Sequence, residues 1–459
     1  MTLGRNAALA VLGTLGALVA IDVPDLGAEP WPFHPRAVDP HGLLGIVVRA
    51  AGRRWDHGFI RTPATIAALL VAVAAVAAWR RLASRGAGVV AALAVVVILS
   101  LLVPATALQA GLRQATAPWY HVNDSTYQIE IAGNLVRHGH DPYGHDYTGS
   151  GLERWYPAAG FPASRKQVAL HHLAYFPGTP LTAAAWGVLP SPLDDYRFFV
   201  LLCTVALFFA ALAFRAPPAL RIAIGTLAAA NPLAVRASWF GTADAPSLLC
   251  VLLAFALVSR RRFVWSALLL GLAVALKQFA LVAVPFIAVM MLTLGAPRAV
   301  LRNALFAFLT PLVATFVPFL VADPGALWRD TVSYGGSTYR IIGYGLSSLF
   351  VHAGLVDNRT SPYPFFWLAL LVWLPVTAWL LVSQRRGQRA WLGALGFSVS
   401  MFVLLFISRV FQTSYFVWPL IGVLVSVLLA NADDEGVRAR PDVSGEIDRG
   451  QLQPITTRP

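Results

Sequence analysis

The sequence predicts an all-α fold, a polytopic transmembrane helical bundle of about 12 spans, and three observations carry that reading. Of 459 residues, 57% are apolar and only 12% charged, against about 25% charged in a soluble domain, and the mean hydropathy is +0.65. Apolar runs of roughly 15 to 30 residues recur along the chain, separated by short arginine-bearing links, and helices alone let each run satisfy its own backbone groups in lipid. No barrel-like alternation is present. Two polar insertions interrupt the pattern and predict two extracytoplasmic loops carrying short interfacial helices.

The charge balance, 35 basic residues against 22 acidic for a net +13, follows the loops between the runs. It therefore reports membrane topology and attraction to anionic membrane lipids rather than nucleic-acid binding. Cys203 and Cys250 both fall in apolar runs and predict inert packing, not a disulfide framework.

In chain order, residues 1–109 read as N-terminal transmembrane helices. The run from Ala7 to Ile21 is short for a span and reads as an anchor or a cleaved signal peptide. Residues 22–62 form an outer loop, and Ala64 to Trp79 crosses inward, because Arg80, Arg81 and Arg85 mark the cytoplasmic side. Val89 to Leu108 returns outward, which makes residues 110–166 the first extracytoplasmic loop.

Residues 167–321 form a central transmembrane module. Val168 to Pro190, with Pro177, Gly178 and Pro180, reads either as a span or as a re-entrant segment. Spans near Phe198–Phe214, Ile222–Val235 and Pro246–Val258 follow. With Arg215, Arg221, Arg260 to Arg262, Arg298 and Arg302 all cytoplasmic, the Val168 segment must not cross. Phe263 to Thr293 is too long for one untilted span, and Lys277 within it comes about 22 Å from Arg262 along a helix, near the outer leaflet. After the span Ala304–Val321, residues 322–364 form the second extracytoplasmic loop, 365–430 the C-terminal transmembrane helices, and 431–459 a disordered cytoplasmic tail.

The polar stretch from His121 to Asp146 is where chemistry has room. Ser125 followed by Gln128 is a capping-box pattern, and the helix it starts should run to about Arg137 before Gly139 and Pro142 stop it. Asp124 then lies at or just before a helix N-terminus, which favours an ionised carboxylate. His138, His140 and His145 are close in sequence, but no CxxC or HExxH frame supports zinc, so neither metal nor cofactor is expected. Lys277 is an isolated cation in an apolar run, hence either a snorkelling side chain or a functional one. Asp244 reads as a helix cap before Pro246, and Tyr415 and Trp418 as interfacial belt aromatics.

An acidic first outer loop, the run Trp239 to Pro246, Leu276-Lys277-Gln278 and Ser408 to Pro419 together resemble the membrane-embedded GT-C glycosyltransferases. They are most similar to the bacterial branch containing the phosphatidylinositol-mannoside mannosyltransferases. Gly139-His140-Asp141-Pro142-Tyr143 resembles that branch's Gly-x-Asp-Pro-Tyr segment, and Tyr344 to Leu349 its second-loop serine segment. The resemblance implies an inner-membrane enzyme whose active site faces outside the cytoplasm. Such an enzyme moves a sugar, mannose or arabinofuranose, from a polyprenyl-phosphate donor to a lipid or cell-envelope glycan acceptor. It puts Asp124 in the role of general base, with inversion at the anomeric carbon.

Asn123, Tyr127, Asp141, Tyr143, Lys277, Arg340, Arg409, Gln412 and Tyr415 are the implied substrate-binding residues. Among them Lys277, Arg340 and Arg409 are the candidates for neutralising the departing phosphate. The segment before Trp418, Gln412 to Tyr415, lacks the histidine of the mannosyltransferase relatives, so the sugar stays open. The alternative is a transporter or flippase of a lipid-linked saccharide, which predicts paired ionisable groups near the midplane and repeat symmetry.

Overall fold

The computed structural model describes residues 84–115, 122–155, 169–231 and 241–438, with Leu233, Ala234 and Ala237. The expected anchor or signal segment Ala7–Ile21, the expected span Ala64–Trp79, the loop of residues 22–62 and the tail beyond Arg438 lie outside the described residues. Within them the fold is helical apart from one parallel bridge between β1 (Ile342–Gly343) and β2 (Val410–Phe411).

α1 (Ser84–Ala115) leads to α2 (Asp124–Arg137) and the nine-residue α3 (Gly178–Trp186). At about 1.5 Å per residue α3 is far too short to cross a bilayer by itself. The bundle continues with α4 (Tyr196–Leu212), α5 (Pro218–Ala230), α6 (Ala245–Ser259) and α7 (Phe263–Leu276). Next come α8 (Ala283–Thr293) and α9 (Arg298–Ala322). The second loop holds α10 (Pro324–Trp328), a π-helix over Arg329–Thr338, β1 and α11 (Leu346–His352). The chain closes with α12 (Phe365–Gly387), α13 (Ala390–Ile407), β2 and α14 (Val417–Arg438). α14 runs past residue 430, where a polar tail was expected.

Four helices among the described residues are long and apolar enough to span: Arg298–Ala322, Phe365–Gly387, Ala390–Ile407 and Thr413–Ala432. Burial separates their surroundings. Only 11% and 6% of the apolar windows of α9 and α12 are buried, against 78% for Thr413–Ala432. Apolar side chains left uncovered along most of a helix face lipid, so α9 and α12 sit at the rim and α14 at the centre.

The long run Phe263–Thr293 resolves into two helices. At Lys277 the backbone turns extended (φ −153°, ψ 130°), and a 3-10 turn over Gln278–Val282 leads into α8. The broken end does not waste its polar groups: Thr179 Oγ1 donates to Leu276 O at 2.5 Å, Ser247 Oγ to Ala273 O at 2.7 Å, and Gln278 Nε2 to Ala174 O at 3.1 Å. Gly178 permits that approach, since a Cβ there would meet Ala275 O at 2.6 Å. α8 then heads back: Gln384 Nε2, beside the α12–α13 turn, donates to Phe286 O at 2.9 Å.

The arginine-bearing turns at Arg215 and Arg221, Arg260 to Arg262, Arg298 and Arg385 to Arg389 therefore share one end of the bundle. Residues 241–245, the Lys277 break, the second loop and residues 408–416 share the other.

Candidate active site

The site is built on α2. Its N-cap is Asn123, whose Oδ1 accepts from Ser125 N at 2.9 Å and Ser125 Oγ at 2.6 Å, which places Asp124 at the first helical position. The expected capping box does not form, because Gln128 turns away to donate through Nε2 to His172 O at 2.9 Å. Asp124 Oδ1 accepts from Ser125 N at 2.8 Å, so its charge sits against the positive end of the helix. The helix ends at Arg137, as the glycine and proline beyond it predict.

A wall of phenols stands within electrostatic reach of the half-buried Asp124. Tyr175, Tyr334, Tyr339 and Tyr415 all lie within reach of its charge. Burial raises the phenols of Tyr175, Tyr334 and Tyr339 above their ordinary range. The Asp124 charge adds to this in all three, while Arg340 opposes it at Tyr339 and a hydrogen bond with Ser125 opposes it at Tyr175. These hydroxyls stay protonated.

Three latches hold the wall. Arg409, 1% exposed, donates from Nε to Tyr339 O at 2.5 Å and from Nη2 to Ser361 O at 3.2 Å, while Ile342 N donates to Arg409 O at 2.9 Å. Those bonds, with the β1–β2 bridge, tie the second loop to the turn between α13 and α14. Gly343, at φ +97°, lies against the Phe411 carbonyl where any Cβ would collide.

The second latch is Asp330, 1% exposed. Its Oδ2 accepts from Gly144 N at 2.8 Å and Leu173 N at 3.2 Å, and its Oδ1 lies 2.9 Å from His172 Nδ1, whose ring stacks on Tyr334 at 4.5 Å. The third is the Asp-Pro-Tyr segment. Tyr143 OH donates to Tyr175 O at 2.8 Å, Tyr147 OH to Pro142 O at 2.8 Å and Tyr127 OH to Ser150 O at 2.7 Å. Asp141 Oδ1 accepts from Tyr143 N at 2.9 Å while its Oδ2 is buried without a hydrogen-bond partner among the described residues. Burial raises the Asp141 carboxyl above its ordinary range, with Asp323 and Asp330 adding to the effect against the Tyr143 N–H bond.

On the other side of Tyr175 and Tyr415 lies a buried triad. Lys277 Nζ is 2.5 Å from Asp244 Oδ1, which also accepts from Trp418 Nε1 at 2.7 Å. The ammonium rests among the rings of Phe279 at 5.3 Å, Tyr415 at 5.5 Å and Tyr175 at 5.8 Å. Asp244 occupies the N-cap position of α6 but makes no side-chain cap bond there, so it is not the cap expected of it. Trp418 is wholly buried and is not a belt aromatic, because its indole points at Asp244 rather than at the membrane interface.

The rear of α2 carries separate polar structure. Arg113 of α1 bridges Glu130 at 2.5 Å and Asp195 at 3.0 Å, and Arg197 pairs with Asp195 at 2.6 Å. A cleft of about 280 Å³ opens there, lined by Arg113, Glu130, Arg137 and Asp195 among others. Its charges neutralise one another and hold α1, α2 and α4 together, away from the phenol wall.

The structure thus brings Asn123, Asp124, Lys277, Arg340 and Tyr415 into one neighbourhood. It places Tyr127, Tyr143 and Arg409 in the supports, and gives Gln412 the cap of the 3-10 turn Thr413–Phe416 beneath Tyr415. The sequence reading missed Tyr175, Tyr334, Asp330 and the role of Asp244. For Asp244 a signal existed, since an acid and a base, each alone at the outer end of a neighbouring apolar run, are expected to pair.

No curated protein and no solved structure matches the chain. One family model does, that of glycosyltransferase family 87, over residues 173–408, just over half of the chain. The matched segment contains Tyr175, Asp244, Lys277, Tyr334 and Arg340, and stops short of Asp124 on one side and Arg409 on the other. A helical membrane bundle with a carboxylate facing buried phenols at one end, and a family match across its central helices, identify the chain as a member of glycosyltransferase family 87.

Proposed function

We propose that this membrane glycosyltransferase moves a sugar from a polyprenyl-phosphate donor to a lipid or glycan acceptor on the outer face of the plasma membrane. Inversion at the anomeric carbon and Asp124 as general base complete the reading. The observation that carries it is the placement of Asp124: a carboxylate at a helix N-terminus whose charge reaches the phenols of Tyr339 and Tyr175, the first also under the influence of Arg340 and the second beside the Lys277 ammonium. In this reading the carboxylate takes the acceptor hydroxyl's proton as that oxygen attacks, and the phosphate departs from the opposite face towards the cations. The site lies at the end opposite the arginine-bearing turns, which by the positive-inside rule is extracytoplasmic.

The Lys277–Asp244 pair is a feature a transporter would also show. It lies at the outer end of α7 rather than at the midplane, and membership in a glycosyltransferase family favours the enzyme.

The test is transfer from labelled polyprenyl-phosphate mannose and, separately, polyprenyl-phosphate arabinofuranose by the purified protein in lipid nanodiscs. Label appearing on a lipid or glycan acceptor with inverted anomeric configuration is the expected result. Transfer only from a nucleotide sugar, or with retention, would overturn the proposal.

A further inference from the structure

Lys277 and Asp244 form a buried ion pair, and buried pairs are poor sources of stability, because desolvation of both charges offsets their attraction. The chain nevertheless breaks an apolar run to place this lysine. Its backbone is extended where α7 would otherwise continue, and Thr179 of another element supplies a partner to the freed carbonyl of Leu276.

Two features of the pair are those of an exchangeable contact. First, the oxygen of Asp244 that receives the ammonium also receives the indole N–H of Trp418, so it keeps a hydrogen bond when the lysine leaves. Second, the lysine has three donors and Asp244 takes one, while the rings of Tyr175, Phe279 and Tyr415 stabilise the cation without holding it in a fixed direction. Polar capacity is also left over within two residues of each partner: Thr242 Oγ1 and Gln278 Oε1 are buried atoms without a hydrogen-bond partner among the described residues. Tyr175 and Tyr415, which flank the ammonium, are the same phenols that face Asp124.

We infer that Asp244 is the resting counter-ion of Lys277, and that the donor's phosphate takes its place, drawing the ammonium from the Asp244 carboxylate onto a phosphate oxygen. This rests on the polyprenyl-phosphate donor proposed above. Asp244 is then a positioning residue that competes with substrate. It keeps the ammonium aimed between turnovers, and holding it back sets how tightly the released polyprenyl phosphate is retained.

The competition gives the two partners opposite signs in a binding experiment. The probes are decaprenyl phosphate and the uncharged decaprenol, titrated into the full-length protein in nanodiscs. Wild type should prefer the phosphate. Lys277→Gln should lose at least tenfold of that preference, Asp244→Asn should bind the phosphate at least threefold tighter than wild type, and the double variant should match Lys277→Gln. Weaker or unchanged phosphate binding in Asp244→Asn would overturn the inference, since a static structural pair makes both single variants lose together.

A second measurement needs no change at the pair. The chain has only two lysines, Lys166 and Lys277. Lysine labelled with nitrogen-15 at Nζ in a Lys166→Arg background therefore reports Lys277 alone. Its signal should move on addition of decaprenyl phosphate and stay in place with decaprenol. An unmoved signal in a protein that still prefers the phosphate would refute this inference and leave the donor class standing, whereas equal binding of phosphate and alcohol by wild type would refute both.

Discussion

Replacing Asp330 by alanine should release the first loop from the second while leaving the bundle intact. The carboxylate accepts from Gly144 N, Leu173 N and His172 in a buried setting, so Asp330→Ala takes the acceptor from two main-chain N–H groups and the carboxylate from the imidazole that stacks on Tyr334. An orphaned buried donor costs about 1–3 kcal/mol, which for two donors gives about 2–6 kcal/mol, with about 3 kcal/mol as a working value once local relaxation is allowed. At about 1.4 kcal/mol per factor of ten, that is a rise of roughly a hundredfold in the open population of the segment.

Hydrogen–deuterium exchange in nanodiscs reads it directly. Peptides containing Gly144 and Leu173 should exchange about a hundredfold faster, and those from α6, α7 and α13 at the wild-type rate. Because Tyr143 and Leu173 flank the chain that presents Tyr175, transfer activity should fall as well. Unchanged protection at Gly144 and Leu173 would refute the view that Asp330 joins the loops.

Other outcomes follow from the same geometry. Asp141 is held above the ordinary carboxyl range, chiefly by burial and then by Asp323 and Asp330, so its protonation stabilises the fold at low pH and that contribution is lost as pH rises through the raised value. Asp141→Asn should accordingly equal or exceed wild type in thermal stability at pH 7, with the difference closing below the ordinary range near pH 4, roughly; a variant less stable at pH 7 would show that the charged carboxylate is needed. For topology, cysteines at Thr148 and Asp357 should react with an impermeant thiol reagent from outside the cell and one at Gln388 should not, against a silent background because Cys203 and Cys250 are buried. Labelling with the reverse sidedness would invert the bundle.

The sequence shows the spans because lipid leaves few alternatives. Long apolar runs such as Arg298–Ala322 must be helical, and arginine at the turns orients them. The α2 boundaries were legible for the same local reasons, Asn, Asp and Ser before the helix and Gly139 after it. The choice of cap was not, since Asn123, Asp124 and Ser125 all qualify and Gln128 is drawn off by a distant carbonyl, His172 O.

The break at Lys277 lay beyond pattern reading because apolar residues continue on both sides. What fixes it is the arrival of Thr179 and Gln278 at tertiary partners. The phenol wall is the least legible part. Tyr175, Tyr334, Tyr339 and Tyr415 come from three segments spread over more than half the chain and converge through the latches at Asp330, Tyr143 and Arg409.

The central claim is that Asp124 is the base of a glycosyl transfer. Asparagine keeps the size of this side chain and can still accept from Ser125 N, so Asp124→Asn should insert, fold and bind decaprenyl phosphate as wild type does while losing its proton acceptor. A positioned general base contributes about 10²–10⁴-fold in rate. The decisive measurement is single-turnover transfer from a saturating polyprenyl-phosphate sugar to the acceptor that wild type uses, comparing wild type with Asp124→Asn. The account predicts a fall of at least about a hundredfold with donor affinity unchanged; an Asp124→Asn variant that transferred at close to the wild-type rate would contradict it.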